Sequence, residues 1–527
     1  MRLSRFNLLT LILLVLATAQ TTQADELALT LRYQKPVNEE GRLFHTLTRD
    51  EVWKAEETVL IVCDVWDSHT CKNAVMRVNE MVPHLNKVVT EARNRGVTIL
   101  HAPSGCMDFY QDHPARQRAI NTPKSKNLPA EITQWCYKIP AEEKGVYPID
   151  QSDGGCDDTP EEHKVWQASL APLLKDSKWP WRREHKAISI DPKKDYISDQ
   201  GDEVWNILEN KGIKNVILTG VHTNMCVLGR PFGLRRMVEN GKNAVLMRDQ
   251  TDTMYNPRSE PYVSHFTGTD LIVSHIERHV CPTITSTQFI GGKEFRFSKD
   301  QRPHLAIIMA EDEYRTNETL PKFSIDPLGK HFRVTLINGN SKERNDIPGI
   351  EAIQNADALI VSIRRRVLPT ADMKIVKDFV AAGKPVIGIR TASHAFSLRK
   401  EEPPAGFGDW KEFDAQVFGG NYHNHYGNKL VSMVQVMDVD HPVLKDVPRE
   451  EFKQGWSLYR TSPLKEGTTT LMTGTVEGQE PEPVTWTFTR ADGGRSFYTS
   501  LGHIDDFENP AFRKMLLNGI HWTLNKK

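Results

Sequence analysis

Short apolar runs alternate with longer amphipathic stretches through most of this chain. Val59 to Val65 is apolar except for Asp64 and reads as a buried strand. Val78 to Arg95 carries apolar residues at helical spacing and stops at Gly96; Val97 to His101 is the next strand. The alternation resumes with a strand at Ala187 to Ile190, a helix over Glu203 to Lys211 ended by Gly212, and a strand at Val216 to Thr219. A helix from Cys226 to Asn240, kinked at Pro231, leads to a strand at Ala244 to Met247. Strand, helix, strand in repetition predicts parallel sheets with right-handed crossovers.

A second series starts after the polar, glycine-containing stretch 291–303. It predicts strands at His304 to Ala310, His331 to Ile337, Ala358 to Ser362 and Pro385 to Ile389, with a helix over Met373 to Ala382. Further strands follow at Val431 to Val436, Val484 to Thr489 and Ser496 to Ser500, and a helix at Pro510 to Leu524 closes the chain. The fold class expected is α/β, with two doubly wound domains of mostly parallel sheets, at 25–290 and 303–527. Between the two parts of the first domain, 104–184 is rich in Asp, Pro and Gly and holds Trp135, Trp166, Trp179 and Trp181. Its aromatic content sets it apart from a disordered linker. The tryptophans either pack it onto the sheet or line a pocket, and packing is the expectation.

At 527 residues the chain is long enough for two domains. Its net charge of −1 gives no reason to expect nucleic acid as a partner. Arg2 and Arg5 precede the apolar run Leu8 to Ala19, and small and polar residues follow, which is the layout of a secretory leader over 1–24. The expected protein is exported, periplasmic or secreted, with no membrane attachment after cleavage. All seven cysteines lie at or before Cys281. Their odd number leaves one unpaired in an oxidising monomer, and Cys106, Cys136 and Cys156 are candidates for disulfides.

The chemistry centres on Asn215-Val-Ile-Leu-Thr-Gly-Val-His-Thr-Asn-Met-Cys226. The run delivers Cys226 to a helix start capped by Thr223 and Asn224, where a thiolate is favoured. A nucleophile and a buried structural cysteine remain equal readings on this stretch alone. Asp64 at a strand end is costly without a partner or a task.

Asp64, a lysine in the middle segment, and Gly-Val-His-Thr-Asn-Met-Cys-Val resemble the isochorismatase-like cysteine hydrolases over roughly 55–260. The resemblance implies an Asp-Lys-Cys triad of Asp64, Lys193 and Cys226, with Lys194 as the alternative lysine. Ser198-Asp199 replaces the Ala-Phe that follows the family lysine. Asp64 would be the general base, Cys226 the nucleophile, and the lysine the cation that favours the thiolate. The family's non-proline cis peptide would join Val221 and His222. Trp66, His69, His222 and Thr223 would bind substrate. No cofactor is implied; a divalent metal at Asp67 and His69 is the alternative to a hydrogen-bonded pair there.

In the second half, Gly388-Ile-Arg-Thr-Ala-Ser-His394, Phe418-Gly-Gly-Asn-Tyr-His-Asn-His425 and Phe497-Tyr-Thr-Ser-Leu-Gly-His503 resemble the ThuA-like domains, which share the layout of class I glutamine amidotransferases. That half has no cysteine, so thiol chemistry there is excluded. His394, His423, His425 and His503 form either a metal or sugar site or a structural set. The function expected is an exported hydrolase that cleaves a C–N bond, amide or ureide, in a small molecule, with the ThuA-like half as accessory. The alternative is a carbohydrate-binding or carbohydrate-processing protein whose ThuA-like half does the work. The sequence leaves oligomerisation open.

Overall fold

A computed structural model of the chain describes residues 26–524. The expected leader, 1–24, lies outside the described residues. No described helix is long and apolar enough to cross a membrane.

The first half holds strands β1 (Glu26–Pro36), β2 (Phe44–Lys54), β3 (Thr58–Cys63), β4 (Thr98–Ala102), β5 (Tyr196–Ile197), β6 (Asn215–Val221), β7 (Asn243–Asp252) and β8 (Thr283–Ile284). They form one sheet in the order β2-β1-β8-β7-β6-β3-β4-β5. From β8 to β5 neighbours run parallel; β1 is antiparallel to β8 and to β2. Every residue of β3 and β6 is buried, which is why these strands read as continuous apolar runs. Alternate side chains of β3 feed opposite faces: Val59, Ile61 and Cys63 join one core, Leu60 and Val62 the other. The second core is completed by Val78, Met81, Val82 and Leu85 of the helix Lys72–Asn94.

Two elements depart from the sequence reading. Ala187 to Ile190 is not a strand; only Ile188 of that stretch is buried, and the short β5 takes the sheet edge. The helix expected from Cys226 to Asn240 is split. A π-helical turn spans Thr223–Val227, the chain breaks around Pro231, and a helix resumes at Leu234–Glu239. Proline has no N–H to continue the ladder, so the kink becomes a break.

The second half holds β9 (His304–Ala310), β10 (Arg333–Asn338), β11 (Ala358–Ile363), β12 (Leu368–Pro369), β13 (Val386–Ile389), β14 (Phe407–Gly408) and β15 (Asn424–His425). It continues with β16 (Ser432–Val436), β17 (Phe452–Lys453), β18 (Tyr459–Arg460), β19 (Thr468–Val476), β20 (Glu482–Thr489) and β21 (Arg495–Thr499). A separate nine-stranded sheet runs β10-β9-β11-β13-β21-β20-β19-β16-β17. It is parallel as far as β21 and antiparallel beyond it, so this sheet is mixed. The two halves touch where Asn338 Nδ2 donates to the Phe44 carbonyl at 3.0 Å and the Ser264 N–H donates to the Gly329 carbonyl at 3.1 Å.

The long segment between β4 and β5 folds back onto the first sheet. Glu142 anchors it, accepting two N–H groups of the buried Arg235 at 2.8 Å each and lying 2.8 Å from His275 Nε2. His101, on β4, lies buried between Glu184 at 2.8 Å and Asp195 at 3.2 Å. Burial alone would lower this imidazole, but the two carboxylates outweigh it and raise it to about 9. All seven cysteines are free thiols.

Candidate active site

Parallel pairing of β3 and β6 places Cys63 opposite Gly220. A side chain at Gly220 would meet the Cys63 carbonyl at 2.0 Å, and the residue sits at φ +104°. Only glycine lets the two strand ends come this close. Asp64 leaves β3 in the left-handed region, at φ +51°, and is fully buried. The turn after β6 carries Cys226, also buried. The peptide joining Val221 and His222 is cis.

Asp64 is held on two sides. Its Oδ1 accepts the Ser104 N–H at 2.8 Å, its Oδ2 accepts Arg230 Nε–H at 2.9 Å, and its charge acts on the neighbouring Cys226 thiol. Burial pushes the thiol up, and the Asp64 charge adds to the rise. Arg230 and the His222 backbone N–H oppose it. Cys226 is therefore a protonated thiol at neutral pH beside a carboxylate able to take its proton.

The cation of the site is Arg230, not a lysine. Lys193 and Lys194 are exposed, in the turn that enters β5. Asp64 and Cys226 follow the C-terminal ends of β3 and β6, so the lysines stand at the other edge of the sheet. What leaves β5 on the site side is Ser198-Asp199, and Asp199 accepts the Gly105 N–H at 2.9 Å. Arg230 lies one helical turn beyond Cys226, and its N–H donates to the Cys226 carbonyl at 3.0 Å. Its guanidinium also stacks on Trp135, 5.3 Å from the ring centre. The spacing Cys226-x-x-x-Arg230 was the signal in the sequence, since residues four apart share a helix face.

Trp66, His69 and His222 wall a small cavity beside Asp64, together with Ser68 and Val221. Trp66 Nε1 donates to the Ser104 carbonyl at 3.0 Å, and its ring stacks at 4.2 Å on Trp181 from the inserted segment. Trp181 in turn stacks on Trp179 at 4.9 Å. Trp181 thus packs the insertion against Trp66, and Trp66 is the tryptophan that walls the cavity. His69 Nδ1 accepts the Cys71 N–H at 3.1 Å, so a neutral His69 carries its proton on Nε2. Burial drives His69 down to about 4, and burial followed by the His69 charge lowers His222 as well. Both are neutral at physiological pH. His222 Nε2, in the cavity wall, is a buried polar atom without a protein partner, as are Ser104 Oγ and Trp181 Nε1.

Thr223 is committed elsewhere. Its hydroxyl bonds Thr251 Oγ1 at 2.7 Å, and Thr251 donates to the Gly220 carbonyl. Asp67 is also structural: its Oδ1 accepts the N–H groups of Arg182 and Arg183, which fastens the segment that holds Trp179 and Trp181. The Asp67 carboxylate and the His69 ring are thereby each engaged by backbone N–H groups.

In the second half, His394 follows β13, is buried, and stacks on Tyr422 at 4.5 Å. His423 and His425 do not join it. Both are exposed, and their Nδ1 atoms bond the Asn421 and Tyr426 carbonyls. The group beside His394 is instead Tyr422, Tyr459 and Arg390. Arg390, at φ +45°, is buried between the rings of Tyr314 at 4.0 Å and Tyr459 at 4.7 Å. Burial pushes the Asp414 carboxyl up to about 7; its Oδ2 accepts the Tyr422 N–H.

The chain is similar to a ThuA-like protein from Bacteroides uniformis, with 16% identity, 45% of this chain and 97% of that chain covered, and a TM-score of 0.34. It is similar to a cysteine hydrolase from Pseudomonas syringae, with 15% identity, 45% and 92% covered, and a TM-score of 0.27. An isochorismatase family protein from Burkholderia thailandensis gives 13% identity, 44% and 93% covered, and a TM-score of 0.24. TM-scores this low carry no information on chemistry. No curated protein matches the chain. The family model described as ThuA, trehalose utilisation, matches residues 329–523, and this part of the chain is a ThuA domain.

Proposed function

We propose that the first half is a cysteine hydrolase that cleaves a C–N bond, amide or ureide, of a small molecule through a covalent thioester-type intermediate. The observation that carries the reading is the buried Asp64 carboxylate, hydrogen-bonded to Arg230 and close enough for its charge to act on the buried Cys226 thiol. Asp64 takes the thiol proton as the sulfur attacks the carbonyl carbon. Arg230 offsets the negative charge gathered on Asp64 and sulfur. The His222 backbone N–H favours the thiolate. The proton held by Asp64 passes to the departing nitrogen, and water then releases the acyl group from sulfur. The flat, neutral walls of Trp66, His69 and His222 suit a planar uncharged group. The apolar run Leu8 to Ala19 supports export of the protein.

The test is ammonia release by purified full-length protein from a panel of amides, ureides and sugar amides, beside the Cys226→Ala variant. A turned-over compound should lose hydrolysis by orders of magnitude in the variant while circular dichroism stays unchanged. Full activity in Cys226→Ala ends the proposal.

A further inference from the structure

The inserted segment returns a second cysteine to the start of the helix Lys72–Asn94, away from Asp64 and Cys226. Cys71 caps that helix and Cys156 comes from the insertion. Donor atoms of Cys71, Cys156 and Asp158 all lie within 4.8 Å of one another. His163 lies beside two of the three: its Nδ1 is 3.7 Å from Cys156 Sγ and 3.2 Å from Asp158 Oδ2. Cys71 Sγ stands 3.4 Å from Asp158 Oδ1.

These spacings have a chemical meaning. Ligands of a tetrahedral zinc ion sit about 2.0 to 2.3 Å from the metal, which puts neighbouring donor atoms about 3.3 to 3.8 Å apart. Two sulfurs, an imidazole nitrogen and a carboxylate oxygen make a set that a thiophilic divalent ion prefers over magnesium or calcium. The supporting groups are also present. The Lys72 and Asn73 N–H groups donate to the two oxygens of Asp158 at 2.9 Å each and fix its plane. The neighbouring acid, Asp157, is already neutralised by the forked guanidinium of Arg77 at 2.8 and 3.0 Å. Cys156 and His163 are partly exposed, so an ion can reach them from solvent.

We propose that Cys71, Cys156, Asp158 and His163 bind one zinc ion, which clamps the insertion to the first helix. Binding releases the two thiol protons to solvent as the sulfurs become thiolates. Cys71 lies two residues beyond His69, which walls the cavity beside Asp64. The Cys71 N–H donates to His69, and Trp166 Nε1, on the helix that carries His163, donates to the His69 carbonyl at 2.9 Å. The ion would therefore hold His69 in place without touching the reacting atoms.

The experiment measures metal in the full-length protein, purified under reducing conditions, by inductively coupled plasma mass spectrometry after equilibration with Zn2+. One zinc per chain is expected, with a large fall in Cys156→Ser and His163→Ala, both at partly exposed positions where folding can be verified by circular dichroism. Replacement by Co2+ should give a sulfur-to-cobalt charge-transfer band that Cys156→Ser loses. Absence of zinc from the equilibrated native protein overturns the proposal. So does a Cys71–Cys156 disulfide in peptide mass spectra of protein prepared without reductant, or zinc retained at full occupancy in folded Cys156→Ser.

Discussion

Arg230 and Asp64 act on the Cys226 thiol with opposite sign, so removing each should move its titration in opposite directions. Arg230 Nε–H reaches Asp64 at 2.9 Å, and both charges act on the Cys226 sulfur. A guanidinium and a thiolate on either side of one carboxylate are taken as roughly 5 to 6 Å apart. At an effective dielectric constant of about 20, unit charges at that separation interact by about 3 kcal/mol, or about 2 pK units. Arg230→Met should therefore raise the midpoint of Cys226 alkylation by about 2 units. Asp64→Asn should lower it by a similar amount, because it removes the charge that raises the thiol. The assay is iodoacetamide labelling as a function of pH, with the Cys226 peptide quantified by mass spectrometry so that the other six thiols do not contribute. If both variants shift the midpoint the same way, or neither moves it by more than about 0.3 unit, the electrostatic account of the site is wrong.

Lys193→Ala and Lys194→Ala should each keep full hydrolytic activity on whatever compound the wild type turns over, because both side chains are exposed at the far edge of the sheet; a severe loss in either would restore a lysine to the site. Gly220→Ala should lower the thermal midpoint and abolish activity together, since its methyl group would collide with the Cys63 carbonyl and force β3 and β6 apart; an unchanged melting curve would refute this. His101 keeps its proton up to about pH 9 in the folded chain but loses it near 6.5 when unfolded, so its stabilisation is complete below about pH 6.5 and disappears as the pH rises through 9. The His101→Gln variant should flatten the fall in thermal midpoint over that window, and an unaltered slope would show that His101 is not its source.

Several features of this protein are set by local sequence. The buried strands β3 and β6 are legible because both faces of a parallel strand are covered, which leaves an apolar run with no solvent-facing positions. Asp64 stands out because a carboxylate in such a run is costly without a partner, and the ThuA motifs fall within the matched residues 329–523. The hairpin of β1 and β2 was less visible: in β1 only Leu27, Leu29 and Leu31 are buried, a weak alternation at a sheet edge. Which cation stands beside Asp64 depended on the tertiary structure. A lysine just before a strand and an arginine just after a nucleophile are equally plausible on paper. The direction of β5 sends Lys193 and Lys194 to one edge of the sheet, and the turn after β6 sends Arg230 to the other. The same holds for the histidines of the second half. His425 lies on the exposed β15 and His423 just before it, whereas His394 is buried in the turn after β13 against Tyr422. Spacing along the chain fixes which residues can share an element, but which ends of which strands converge is decided by strand order and direction.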